Sequence, residues 1–313
     1  MITTDKTLPH QTERLFLTDG GTETWLMYKK GFELPEFSAF HLLNDSAAYD
    51  ALLSYYRAFA TLACQLETAF IFDSLSYRAS RDWGALLGYS PEGLAEMNLR
   101  CLDLYRRAAQ EAGLPDANVI LSGCIGPKGD AYQRNEGLTA EKAQTYHAEQ
   151  IATFVDGGAD LVTALTLNMS EEAIGIARAA KAAGIASVIS FTLDKDRRMK
   201  SGETLQEAIA KVDAATGSAP AYYMINCSHP LDFGPALEPA PWMQRVRGIR
   251  ANASTLDHGT LCQLGHLEEG NPDELAAQYR ELRDRFPWMN VFGGCCGTDV
   301  VHVQKIGQAL LAA

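Results

Sequence analysis

Eight short apolar, partly β-branched runs punctuate the chain, at residues 15–18, 69–72, 119–122, 161–164, 187–190, 222–225, 248–251 and 290–292. Most are continuous rather than alternating, which predicts strands buried on both faces. Between them, apolar positions recur at helical spacing and the ends carry start and stop signals. Ser90 precedes Pro91, an N-cap followed by proline at the first helical position. Leu94, Met97, Cys101, Leu104, Tyr105 and Ala108 then share one helical face, and Gly113 stands where a C-cap glycine belongs. Ser170, Glu171 and Glu172 open a helix that Gly184 closes. Thr204 with Glu207, and Asn271 with Glu274, have capping-box spacing. Pro287 stops the helix begun at Asn271, and Thr298 is predicted to cap a last one running to Leu311.

Strands alternating with helices over 313 residues, with no linker, predict a single (β/α)8 TIM barrel spanning 1–313. A doubly wound open sheet is the alternative, but no strand is followed by a G-x-G-x-x-G turn or a phosphate loop. The stretches 31–46 and 228–245, the latter with four prolines, read as ordered loops. The chain is 47% hydrophobic and 21% charged, too apolar for disorder. Its net charge of −12 argues against a nucleic-acid groove or an anionic membrane surface as partner. No apolar stretch approaches the ~18 residues of a membrane span, and residues 1–6 lack the charged and apolar regions of a signal peptide. A cytoplasmic protein is expected.

Active sites of such barrels gather at the C-terminal ends of the strands, and three of the seven cysteines stand there. Cys227 follows the sixth strand, and Cys295 and Cys296 follow the eighth within Gly293-Gly294-Cys295-Cys296-Gly297. Flanking glycines let the backbone bring both vicinal sulfurs to one point. Three converging thiolates suit tetrahedral Zn²⁺, and three protein ligands plus an open position is the catalytic pattern. His229, two residues beyond Cys227, is the candidate fourth ligand of an alternative, closed structural site in a non-catalytic barrel. Cys64, Cys101, Cys124 and Cys262 read as packing residues, the common fate of free cysteine. In a reducing compartment the thiols are expected to be unpaired. A thiolate-rich zinc is a poor activator of water. It is better suited to binding one more thiol and holding it ionised, a change worth roughly 2 kcal/mol for a thiol of pKa ~8.5 at neutral pH. The bound thiolate then attacks a soft carbon such as a methyl group on a sulfonium or ammonium.

Several motifs resemble the homocysteine S-methyltransferase family: Asp19-Gly20-Gly21-Thr22-Glu23, Asn226-Cys227-x-x-Pro230 and Gly293-Gly294-Cys295-Cys296-Gly297. Residues 122–127 are similar to its third-strand G-S-I-G-P loop and Tyr77-Arg78-Ala79-Ser80 to its second-strand loop. Ser190-Phe191 with Ser201-Gly202-Glu203 resembles its fifth-strand segment. The resemblance implies a (β/α)8 barrel with zinc on Cys227, Cys295 and Cys296. It further implies methyl transfer to homocysteine, giving methionine. The expected partners are a small-molecule thiol acceptor and a methyl donor, S-methylmethionine or S-adenosylmethionine, with betaine or another thiol as alternatives. No further folate or cobalamin domain fits this length, so a methylfolate route is not expected.

The chain departs from the family after the fourth strand. The family reads F-E-T there and its Glu helps bind the substrate amino group, whereas Leu165 stands here. Asp73 replaces a usual Thr at the second strand and is the candidate to take over the ammonium, unless it pairs with Arg78 or Arg81. Asp19 and Gly20 are expected to face the pocket, with Asp19 acting on substrate or else forming a turn before the glycines. Asn226 is expected to contact substrate, support the ligand beside it, or hold the strand end. Trp25 and Tyr77 are candidates for an aromatic wall against a cationic donor.

Overall fold

The computed structural model describes residues 6–312, so most of the N-terminal stretch read for a signal lies outside it. Eight parallel strands close into a barrel in sequence order: β1 Phe16–Thr18, β2 Ala69–Asp73, β3 Val119–Ile125, β4 Leu161–Leu167, β5 Ala186–Phe191, β6 Tyr222–Asn226, β7 Val246–Ala251 and β8 Val291–Gly294. Closure is made by β1 and β8, where Phe16 lies opposite Val291 and Leu17 opposite Phe292. The outer ring comprises α1 Ser46–Gln65, α2 Pro91–Ala112, α3 Ala140–Asp156, α4 Ser170–Ala183, α5 Leu205–Thr216, a single turn α6 Pro230–Phe233, α7 Pro272–Arg285 and α8 Val300–Leu311. The expected (β/α)8 barrel is the observed one. The 228–245 stretch replaces a full sixth helix with α6 and short 3₁₀ turns.

Two apolar layers result from the alternation of strand side chains. Phe16, Ile71, Ile120, Leu161, Val188, Tyr222, Met224 and Val291 fill the lumen. The alternate residues, such as Leu17, Phe70, Phe72, Leu121 and Ile225, pack outward against the helices. Strands β3 and β4 run three residues beyond their apolar runs. Gly123 interrupts the pattern, yet the strand continues because the Phe154 ring of α3 occupies the space a Cβ would need.

Most helix ends follow their sequence signals. Ser90 accepts from the Gly93 N–H, the Thr204–Glu207 box closes, and Asn271 accepts from Asp273 and Glu274. Gly113, Gly184 and Gly217 adopt left-handed C-caps. The last helix differs: Asp299 caps α8 by accepting from the Val301 N–H, because Thr298 spends its hydroxyl on the Cys295 carbonyl. Ser170 begins α4 rather than capping it, and its N–H and hydroxyl both donate to Glu203.

Candidate active site

Continuing the lumen-facing alternation of β2, β3, β6 and β7 toward the strand C-termini leads to Asp73, Cys124, Asn226 and Arg250. These four, with Asp19 beyond β1, line a cavity of about 470 Å³ at the C-terminal mouth. That volume falls within the range of small-molecule pockets. Cys124, expected only to fill space, is thereby corrected: the period of β3 turns it into the cavity wall. Cys64 and Cys101 remain in helical packing, and the Cys262 side chain lies outside what the structure describes.

The three predicted ligands converge. The Sγ atoms of Cys227, Cys295 and Cys296 all lie within 4.8 Å of one another, half-buried at the cavity edge. Cys227 reaches this point through a left-handed backbone, φ +54°. Such a conformation costs a non-glycine residue about 1–2 kcal/mol. It is held from both sides, since the Cys227 N–H donates to the Arg250 carbonyl at 3.1 Å and Asn252 Nδ2 donates to the Cys227 carbonyl at 3.0 Å. The Cys295 N–H donates to Ala251 at 2.8 Å, and the Cys296 carbonyl accepts from Ala253 at 3.0 Å.

Both glycine motifs serve this convergence by interlocking. A Cβ on Gly20 would come within 2.6 Å of the Thr298 carbonyl, and those on Gly293 and Gly294 would strike Thr18 and Thr298. Close approach lets Gly21 donate to Thr298 at 3.0 Å and Gly294 donate to the Asp19 carbonyl at 2.8 Å. Gly20 does line the cavity, but this packing already accounts for its lack of a side chain.

The Sγ atoms of Cys227 and Cys295 also approach each other closely, with Cα atoms 5.5 Å apart, while Cys296 stands beside this pair. Sulfurs aimed at one point are within bonding reach of each other, so the same geometry that suits a metal also permits oxidation. His229 does not join them: its Nδ1 accepts from the Leu231 N–H as the cap of α6, and it stands outside the metal-competent group.

The cavity floor is an ion network. Arg250 donates from Nη2 to Asp19, from Nη1 to Asp73 and from Nε to the Gly294 carbonyl, all buried. Burial raises the Asp19 carboxyl to about 7 against the pull of Arg250, with Asp73 and Glu23 adding to the rise. Burial opposes the charge on Arg250 as well, but Asp19 and Asp73 together push its pKa above the ordinary arginine range. The reading of Asp73 as a free ammonium site is therefore corrected. Its Oδ2 is engaged by Arg250, neither Arg78 nor Arg81, and only Oδ1 is left buried without a hydrogen-bond partner. Asn226 lines the cavity but is committed to the strand ends: its Oδ1 accepts from the Thr166 N–H and the Ser190 hydroxyl, and its Nδ2 donates to Thr166 Oγ1. Thr166 sits at φ +59°, so Asn226 holds the strained end of β4.

Of the two aromatic candidates, Tyr77 lines the cavity. Trp25 does not; it packs against Tyr55 with ring centroids 4.2 Å apart, and Lys30 Nζ lies 5.1 Å from its ring centroid. Glu23, Arg78 and Arg250 also line the cavity and were not identified from the sequence as site residues. For Arg250 the available signal was a cation placed among apolar residues near the C-terminal end of a strand.

The homocysteine S-methyltransferase family model matches residues 16–310. The chain belongs to that family. Among solved structures, the family's barrel resembles the homocysteine methyltransferase MmuM from Escherichia coli. The oxidised form matches at TM-score 0.75 and 18% identity, covering 96% of this chain and 99% of that one. The metallated form matches at TM-score 0.70 and 20% identity, covering 95% and 96%. A methionine synthase from Mycobacterium leprae is 26% identical over 232 residues, 69% of this chain. The family member described here spans only 18% of that relative's length.

Proposed function

We propose that this protein is a zinc-dependent thiol S-methyltransferase that moves a methyl group from a sulfonium donor, S-methylmethionine or S-adenosylmethionine, to homocysteine, giving methionine. The observation that carries the reading is the convergence of Cys227, Cys295 and Cys296 at the edge of the cavity in a chain of this family. Three soft sulfur donors, reduced and at one point, fit Zn²⁺ with a position left for a substrate. Zinc held there supplies a place where the acceptor thiol binds ionised and stays nucleophilic.

The remaining work belongs to the chain. Cys227 is aimed by its left-handed backbone, and Asn226 supports that turn through Thr166. The thiol proton goes to an Asp19 carboxylate oxygen: Asp19 lines the same cavity, and burial gives it affinity for a proton near neutrality. Arg250, itself tied to Asp73, holds that carboxylate in place, and Gly20 borders the acceptor with its backbone. Tyr77 offers an aromatic face to the onium methyl group. The donor's sulfur–methyl bond breaks as the acceptor's forms, and the donor leaves as a neutral thioether. Among the described residues no helix is long and apolar enough to cross a membrane, and a thiol-based site suits a reducing cytoplasm.

A panel of methyl donors against thiols, run on reduced, zinc-loaded protein, tests the reading. S-Methylmethionine or S-adenosylmethionine with homocysteine is expected to give methionine. Cobalt-substituted protein should change its thiolate charge-transfer spectrum when thiol is added. No turnover with any pair, together with an unchanged cobalt spectrum, would overturn the proposal.

A further inference from the structure

Leu165, buried in the cavity wall, leaves no acid at the end of β4 for an amino group. The charges that do line the cavity divide into two sets. Asp19, Asp73 and Arg250 are bound to one another. Glu23 and Arg78 are not. Glu23 is half-buried in the turn after β1, and among the described residues no cation comes within ion-pair distance of it; its hydrogen bond is to its own backbone. Burial raises its pKa, against its own backbone hydrogen bond and the pull first of Arg250 and then of Arg78.

Arg78 is held by its flat face. Its guanidinium lies 3.7 Å from the Trp83 ring centroid and 5.8 Å from that of Tyr77. Nε and Nη1 of Arg78 are buried with no hydrogen-bond partner. Leaving buried donors unpaired costs about 1–3 kcal/mol each, and a carboxylate is the acceptor that bonds most strongly to a charged guanidinium. An unpaired acid and an unpaired, pre-oriented base thus face one cavity, sensing each other but not joined.

The geometry points to an α-amino acid headgroup bound between them, its ammonium on Glu23 and its carboxylate on Arg78. Either the thiol acceptor or an amino-acid sulfonium donor brings this headgroup. The assignment deepens the methyltransferase reading, which supplies those two ligands, but it stands on a binding site that needs no turnover. Glu23 and Arg78 are then the specificity residues that compensate for Leu165.

Calorimetric titration of the reduced 313-residue chain tests it with L-methionine, 4-(methylthio)butyrate, which lacks the ammonium, and 3-(methylthio)propylamine, which lacks the carboxylate. Wild type is expected to bind methionine at least tenfold tighter than either fragment. Glu23→Gln should weaken methionine at least tenfold and leave the butyrate unchanged. Arg78→Gln should weaken methionine and the butyrate and leave the propylamine unchanged, with Arg78→Lys intermediate. Should Glu23→Gln not fold, as judged by its melting curve, Glu23→Asp is the substitute and should weaken methionine selectively too. Repeating the titrations with homocysteine and with S-methylmethionine shows which of them loses affinity in Glu23→Gln, and so which one occupies the headgroup site. Equal losses for ligands with and without the ammonium, no loss in either variant, or wild type that binds no amino acid would each overturn the assignment. Methyl transfer can fail in the donor panel while these titrations succeed, so the two proposals fall separately.

Discussion

Replacing Arg250 with Met removes the cation that is bonded to both buried carboxylates, Asp19 and Asp73. Breaking a buried pair from one side costs about 3–5 kcal/mol, because the partner charge is left uncompensated. Asp19 limits that cost by taking up a proton. Asp19 in the wild type already sits at about 7 in the folded state, above its unfolded value near 3.9. The folded protein therefore binds more protons than the unfolded one between those values, and this group's contribution to stability declines as pH rises from about 4 through 7. Without Arg250 the folded-state value rises further, so Arg250→Met is expected to lose most stability at pH 8 to 9 and much less at pH 5. With unfolding entropy of about 2.1 cal/mol/K per residue over 313 residues, a 4 kcal/mol loss is a drop in melting temperature of about 6 °C. Calorimetric melting at pH 5.5, 7 and 8.5 measures it. Adding Asp73→Asn to the variant should recover part of the loss at pH 8.5, since it removes one of the stranded charges. A deficit that is the same at all three pH values, or one that Asp73→Asn deepens, would refute the account of the cavity floor.

Cys227→Ala, Cys295→Ala and Cys296→Ala should each lose most bound zinc by elemental analysis of reduced protein, whereas Cys101→Ala keeps it; full zinc in the Cys295/Cys296 double variant would contradict the ligand set. Oxidised protein, with Cys227 bonded to Cys295, should take up zinc only after a phosphine reductant has been added, which parallel metal analyses will show. Transfer from a donor bearing a chiral methyl group should invert its configuration once, and retention would require a methylated enzyme intermediate. Asn226→Ala leaves the buried Thr166 N–H unpaired and should cost about 1–3 kcal/mol in denaturant unfolding, with an unchanged midpoint speaking against its role at the end of β4.

Repetition along the chain determined the barrel. Eight continuous apolar runs, each followed by a helix or an ordered stretch, admit few other closed arrangements, and the helix ends were legible because capping is a local matter of three or four residues. The cysteine trio was legible for the same reason: strand ends point to one mouth in this architecture, and glycines beside sulfur mark a backbone bent to aim it. What the sequence left open depends on side chains brought together from distant strands. Arg250 is one cation on β7, and nothing local says that it faces Asp19 from β1 and Asp73 from β2 across the lumen. Asp73 accordingly read as free until the barrel closed around it. Trp25 lies only six residues from Asp19, yet the turn after β1 points it at Tyr55 and sends Glu23 into the cavity instead. Asp299 rather than Thr298 caps the last helix because the Thr298 hydroxyl is committed to the Cys295 carbonyl, a choice between two local bonds that residue type alone does not settle. Local periodicity thus fixes which way a residue faces from its own strand, while closure of the barrel decides what it meets there, and the charge balance of the cavity is set entirely at that second step.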